Sequence, residues 1–390
     1  MSKWYQAGRV FAVLLCCIFL AACSSKASKV DKPKKPKFEQ QLKWETVWKA
    51  NGGEGLGKIH LGLAPDFIQY KSDVWVASID HMGKVTVLDA YTGKRIWRKR
   101  TKTEASSNIG QTADAIVFGT QNGEVIALAK EDGSELWRTQ ISTEVLAGPA
   151  GRDNTLAVLS IDSRLHGLDA ATGKQRWIFD ATAPALKLRG GANPLTYEDS
   201  VLVGFANGQL GMFDLNSGAV NWIQPVAVPR GRSEIERMVD INGRMGRRGD
   251  TAYVATYHGR LAAVDLAQQR FVWTRELSSY QGLAVTNAAV IVTDADSNVT
   301  AYDRYSGDTL WVQSELNRRY LTAPVVFGDY VVVADVYGYA FALSLQTGQL
   351  MGFHKVTASA LRKAPLVDSE GVIIQTHAGR IFKIRPIAKG

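Results

Sequence analysis

Gly83-Lys84-Val85-Thr86-Val87-Leu88-Asp89, followed by Thr92-Gly93-Lys94 and then Trp97, is the stretch that decides the fold. It returns from Gly123 to Trp137, Ser163 to Trp177, Gly208 to Trp222, Gly259 to Trp273, Ser297 to Trp311 and Gly338 to Phe353. An eighth copy opens at Gly379 and breaks off at Ile384. Successive leading positions are 40, 40, 45, 51, 38, 41 and 41 residues apart. A period near forty marks stacked supersecondary units, each too small to bury its own apolar face.

Within a unit the reading is strand, turn, strand. Val85, Val87 and Asp89 alternate with Thr86 and Leu88, as a period of two requires. Most of these positions are apolar, which predicts sheets covered on both faces. Asp89 to Lys94 reads as a turn, because an aspartate bonds its own backbone two residues on and glycine takes positive φ at no steric cost. Gly133, Gly173, Gly218, Gly307 and Gly348 repeat that role, and Gln269 breaks it in the fifth copy. Trp97 and its counterparts Trp137, Trp177, Trp222, Trp273 and Trp311 place one flat ring per unit between adjacent sheets.

Two further strands precede each copy. In the seventh unit the four are Pro324 to Phe327, Tyr330 to Asp335, Tyr339 to Ser344 and Leu350 to Val356, with Gly328-Asp329 as a hairpin signal. Four antiparallel strands at this period predict an all-β, eight-bladed β-propeller. The eighth copy lacks its last strand, and Trp44 to Lys49 supplies a candidate, with Trp48 in the docking place. That strand is predicted to complete the last blade, closing the ring and removing two open edges.

The chain has 390 residues and a 46% hydrophobic fraction, which excludes global disorder. Its net charge of +9 is uneven: the leader and the segment 24–40 hold most of it, leaving about +3 for the ring. The high pI therefore does not argue for nucleic acid. Residues 1–22 read as an export leader, with Lys3 and Arg9 ahead of an apolar stretch from Val10 to Leu20. Leu20-Ala21-Ala22-Cys23 resembles the lipobox of bacterial lipoproteins, which implies lipidation at Cys23. By the sorting rule of those proteins, Ser24 implies passage to the outer membrane. Residues 23–40, rich in Ser, Lys and Pro, are expected to form a flexible tether, and residues 41–390 the propeller. Cys16 and Cys17 fall in the leader, so a processed chain has no internal cysteine pair.

Little points to catalysis. Gly52 to Gly57-Lys58 has phosphate-loop spacing, but Ile59 stands where a Ser or Thr would hold magnesium, and no helix follows. Arg248-Gly249-Asp250 resembles an integrin-binding tripeptide by chance. The six histidines form no paired metal site, and no Gly-x-Ser-x-Gly elbow occurs. Asp89, Asp169, Asp214, Asp265 and Asp303 recur at turns, and one active site has no use for five copies. No cofactor or metal is expected.

Two connections are long. From docking residue to the next unit takes 12 or 13 residues in the ordinary cases, 17 from Trp177 to Pro194 and 29 from Trp222 to about Thr251. Both join consecutive blades, so they are expected to be neighbours on one face. The first contains Ala185-Leu186-Lys187-Leu188-Arg189-Gly190-Gly191, and the second six arginines plus Met238-Val239-Asp240-Ile241-Asn242. Long loops of this kind are often functional, and leucines beside arginine suit an interface anchor. The alternative is that Leu186 and Leu188 pack onto the ring.

The repeat Asp-x-x-Thr-Gly-Lys-x-x-Trp resembles the tryptophan-docking blades of quinoproteins. Lipobox, basic tether, eight blades and the Leu-x-Leu-Arg loop together resemble, over essentially the whole chain, the BamB family of lipoproteins in the outer-membrane β-barrel assembly machinery. The resemblance implies a non-enzymatic scaffold binding the periplasmic domains of BamA, with other machinery subunits and unfolded clients as further partners. Its contact positions carry over as Leu186, Leu188, Arg189 and Asp240. Asn242 departs from the family's frequent Asp-x-Asp. The quinone-dependent periplasmic dehydrogenases of the wider family imply a vicinal disulfide, and the one vicinal cysteine pair here lies in the leader. A third reading, a glycan-binding propeller, would bring Trp44 and Trp75 together at the channel mouth.

Overall fold

The computed structural model describes residues 33–57 and 63–389. The leader, Cys23, the tether as far as residue 32, and Lys58-Ile59 of the phosphate-loop look-alike lie outside them. From Pro36 onward the chain is one unit. It consists of eight four-stranded antiparallel sheets arranged as an eight-bladed propeller. Blades 1 to 7 occupy residues 66–100, 110–140, 150–180, 195–225, 246–277, 283–313 and 325–355. Blade 8 combines residues 366–388 with the N-terminal strand Leu42–Asn51. The four strands of blade 7, Val325–Phe327, Tyr330–Ala334, Tyr339–Ser344 and Leu350–Lys355, match the sequence reading within a residue at each end.

The third strand of each blade is buried on both faces, which is why its residues are apolar in succession: Val85, Val87 and Leu88 are all but inaccessible. The Asp89 turn works as expected. Its carboxylate accepts hydrogen bonds from the backbone N–H groups of Tyr91 and Thr92 and from the Thr92 hydroxyl. Asp169, Asp214 and Asp303 repeat the arrangement, so these acids are consumed by turns.

The docking residues show a feature the sequence pattern did not reveal. In every blade the register between the third and fourth strands slips by one residue just before the docking position, as between Val87 and Leu88 opposite Trp97. A bulge of this kind turns the next side chain out of the sheet plane. It aims each indole at the neighbouring blade. The indole N–H groups of Trp97, Trp137, Trp177, Trp273 and Trp311 donate to the carbonyls of Lys130, Ala170, Leu215, Arg304 and Leu345 in the following blade, at 2.7–3.0 Å. The ring then lies on the turn glycine: a Cβ at Gly133 would sit 2.8 Å from the Trp97 ring. The turn glycine thus satisfies two demands, a left-handed backbone and room for the preceding tryptophan.

The fifth turn keeps the left-handed backbone without a glycine. Gln269 holds φ 54° there, and the buried indole N–H of Trp222 finds no acceptor. The leading position of that unit also departs, with His258 rather than Gly259 in the left-handed region.

Ring closure follows the expected register. Trp48 pairs with Lys383, and a bulge between Thr46 and Trp48 reproduces the one in every other blade. The Trp48 indole donates to Ala90 of blade 1 at 3.1 Å. Fully buried Lys383 donates to the same carbonyl and to Asp368. In blade 7 the docking position opposite Ala342, beside the slip, is held by Gly352 and not by Phe353 as the repeat was read. Gly352 lies against Leu42 and Trp44 of blade 8, so this blade docks no ring, and Phe353 packs with Tyr339 and Phe341 of its own blade. Phe38, counted with the tether in the sequence reading, packs against it edge-on at 6.0 Å, and Gln40 accepts the Phe353 backbone N–H at 3.0 Å. The end of the predicted tether is therefore part of the folded body. Residues 51–57 link blade 8 to blade 1, with Glu54 and Leu56 N–H groups bonded to Asp80 and His377.

Candidate protein-binding site

The first long connection leaves blade 3 at Asp180 and enters blade 4 at Leu195. The longer one leaves blade 4 at Pro225 and ends at Gly246, where blade 5 begins. Arg247 and Arg248 therefore belong to the first strand of blade 5, not to the loop. Arg244 and Arg247 line the central channel. The expected basic loop patch shrinks to Arg230, Arg232 and Arg237, all exposed. These flank a single helical turn in which Ser233 and Glu236 cap each other's backbone: Glu236 accepts from the Arg232 and Ser233 N–H groups, and the Ser233 hydroxyl accepts from Glu236 N–H. The turn presents Ile235, 62% exposed.

The two connections meet at Asp240. Its carboxylate accepts the Leu188 backbone N–H at 2.9 Å, and its carbonyl accepts Tyr257 N–H from blade 5. Only 4% of Asp240 is exposed. Burial pushes its carboxyl up to about 6, against the Leu188 hydrogen bond and the nearby Lys187 charge, which pull it down. Among the contact positions that the resemblance implies, Asp240 is the buried one: its carboxylate holds the backbone of the loop from below and does not touch Arg189. Arg189 is held by Glu144, at 2.6 Å. Glu144 occupies the place in the blade 2–3 connection that Asp240 occupies in the blade 4–5 connection, each carbonyl accepting an N–H of the following blade (Ile161 and Tyr257). No sequence signal distinguished Glu144 from other acids, since its partner is 45 residues away.

Adjacent packing fixes the rest. A Cβ at Gly190 would meet the Asn242 side chain at 2.2 Å, and one at Gly204 would meet Ile241 at 2.3 Å. Asn242 thus fills space against the loop where the family pattern has a second acid. Leu186 is 41% exposed and Leu188 is half-buried. Neither joins a hydrophobic cluster of the ring. What results is a loop clamped by two carboxylates, with its leucines turned outward.

The sequence profile described as "Outer membrane protein assembly factor BamB" matches residues 81–313 and 295–390. The chain belongs to the BamB family. The BamB of Pseudomonas aeruginosa is 35% identical over 98% of both chains. The crystal structure of BamB from Moraxella catarrhalis superposes with a TM-score of 0.79 at 26% identity, covering 88% of this chain and 99% of that one. A quinohemoprotein alcohol dehydrogenase from Comamonas testosteroni gives a TM-score of 0.68 at 12% identity, over 87% of this chain and 76% of that one. At that identity the likeness is one of fold alone.

The BamB family is named for assembly at the outer membrane, not for a reaction. Among the described residues, no three His, Cys, Asp or Glu side chains gather to hold a metal ion. The aromatic platform of the glycan reading does not form: Trp75 is buried in blade 1 against Tyr70, and Trp44 stacks on His354 at the rim between blades 7 and 8.

Proposed function

We propose that this BamB-family chain is a non-enzymatic scaffold that binds the periplasmic domains of BamA and assists the delivery and insertion of outer-membrane β-barrels. The lipid on Cys23 would hold it at the periplasmic face of the outer membrane. The observation that carries the reading is the clamped 185–191 loop. Asp240 fixes its backbone at Leu188 and Glu144 fixes Arg189. An anchor held in its bound geometry loses little entropy on association. Leu186 and the exposed part of Leu188 supply apolar contact. The Arg189 guanidinium, 40% exposed, keeps N–H groups free for a carboxylate or carbonyls. Asp240 belongs to this site as a positioning residue beneath the surface.

The test is a pull-down from detergent-solubilised membranes with Leu188→Ala/Arg189→Ala, paired with thermal melting. Loss of BamA capture with an unchanged melting temperature supports the site. Retained capture by the folded variant removes it. A lowered melting temperature would show that the leucine is packed onto the ring.

A further inference from the structure

The innermost strands surround a central channel with a cavity of about 550 Å3. On the side of the blade connections it opens into a hollow of about 290 Å3. Three cationic side chains line that hollow: Arg244 from the blade 4–5 connection, and Arg362 and Lys363 from the connection between blades 7 and 8. Among the described residues, none of the three has a carboxylate within ion-pair distance. Arg189 also reaches the rim, but its charge is taken by Glu144. The one acid lining the hollow is Asp66, and burial pushes its carboxyl up, against the pull of Arg244. Burial and the like charge of Arg362 bring Lys363 down to about 8. The hollow thus concentrates positive charge that the protein itself leaves unbalanced.

The cations are not on free loops. A Cβ at Gly243 would lie 1.7 Å from the Gln281 carbonyl, and one at Gly282 would lie 2.9 Å from the Arg244 Cβ. The two backbones therefore touch, and the base of Arg244 is fixed between blades 5 and 6. Tyr280 and Tyr320 stand on the next two connections and line the same hollow. Converging cations and a low-dielectric wall favour an anion with several oxygens and more than one charge. A single carboxylate would leave two cations unmatched. The volume admits a phosphate group and its attachment, and no nucleic acid helix.

We propose that the channel mouth binds a phosphate group bearing two or more negative charges. Arg189, Gly190 and Gly191 of the 185–191 loop also line the hollow, but Arg244, Arg362 and Lys363 lie outside that loop, so phosphate binding is read separately from BamA capture. The chemistry has two sources, a free phosphate compound or a phosphomonoester lipid headgroup, and the experiment separates them.

The unlipidated full chain (Cys23→Ser) is titrated with inorganic pyrophosphate by calorimetry, with chloride matching the ionic strength. The same chain is floated with phosphatidylcholine vesicles with and without phosphatidic acid. Both assays are repeated with Arg244→Gln, with Arg362→Gln/Lys363→Gln and with a control, Lys94→Gln/Lys174→Gln, at exposed hairpin turns. Saturable pyrophosphate binding that falls by about tenfold or more in the cavity variants, and not in the control, supports a free phosphate ligand. Flotation with phosphatidic acid that depends on the same residues supports a headgroup. Absence of both, or equal loss in the control, overturns the proposal. Should the double variant misfold, Lys363→Gln against Lys363→Arg asks the same question: loss in the first and retention in the second support the site, and equal behaviour refutes it.

Discussion

Replacing Asp240 by Asn and by Ala separates positioning from contact. Asn keeps an oxygen to accept the Leu188 N–H and removes the charge; Ala removes both. The Asp240 carboxyl is raised from 3.8 to about 6, which at about 1.4 kcal/mol per unit is roughly 3 kcal/mol against the folded state once the group is ionised. The sign follows from the order of proton loss. Well below the unfolded value of 3.8 the group is protonated in both states and contributes no penalty. As pH rises toward 6 the unfolded chain ionises first, so stability falls, and the full cost stands above pH 6. The Asp240→Asn variant carries no such cost at any pH. The stability difference between Asp240→Asn and the parent should therefore be small at pH 4 and grow to about 1–3 kcal/mol in favour of Asn at pH 8, allowing for the lost attraction to Lys187. Ala strands a half-buried N–H and leaves a gap, costing about 1–3 kcal/mol beyond Asn. Chemical denaturation at a series of pH values measures both differences. BamA capture should survive in Asn and weaken in Ala, because the loop keeps its bond in one and loses it in the other. Equal loss of capture in Asn and Ala would show that the charge itself touches the partner, and a pH-independent difference would refute the burial argument.

Three further outcomes follow from the ring. Deleting residues 41–50 should expose the edge of Arg380–Ala388 and the Ala90 dock together, collapsing cooperative unfolding across the whole propeller; an unchanged melting curve would show that closure contributes little. Trp137→Ala should cost about 3–5 kcal/mol through a cavity between blades, whereas Trp137→Phe and Trp222→Phe should differ by about 1 kcal/mol, since Trp137 loses a hydrogen bond to Ala170 and Trp222 has none to lose. Cys23→Ser should release the chain from the outer membrane into the soluble periplasmic fraction, and tight retention would place the anchor elsewhere.

The repeat made the blades legible because each strand and turn is a local event with a strong period. Blade 8 was legible for the same reason, since Trp44 to Lys49 carries a fourth-strand pattern away from its partner. The bulge before each tryptophan was not. It depends on pairing between strands, and Ile96 or Leu136, the extra residues, look like ordinary strand positions although they are largely exposed. Phe38 was read by the composition of its neighbours, and a segment rich in lysine and proline hides one anchoring ring. In the proposed partner site, Leu186 and Leu188 stood out by type and spacing. The roles of Asp240 and Glu144 did not, because a buried carboxylate that holds a loop and an exposed one that meets a partner are the same letter.

Several departures from the repeat fall at one junction. Between blades 4 and 5 the chain has Gln269 for glycine, an indole N–H without an acceptor, a shifted left-handed residue at His258 and the longest connection. The outer dock is weakened there. On the connection side, the segment Asp240 to Asn242 is wedged in place, with Ile241 against Gly204, Asp240 bonded to Tyr257 and Leu188, and Asn242 against Gly190. Trp222 still packs in the apolar core between these two blades, without its hydrogen bond, and the wedge beneath the 185–191 loop adds a second contact. A loop fixed by the same residues that join two blades cannot change its shape without loosening the junction. This is why a perturbation at Asp240 must be read by melting and by capture in the same protein: the wedge predicts that Asp240→Ala lowers capture and, at low pH where the buried charge costs nothing, melting as well, while Leu188→Ala/Arg189→Ala, outside the wedge, lowers capture alone.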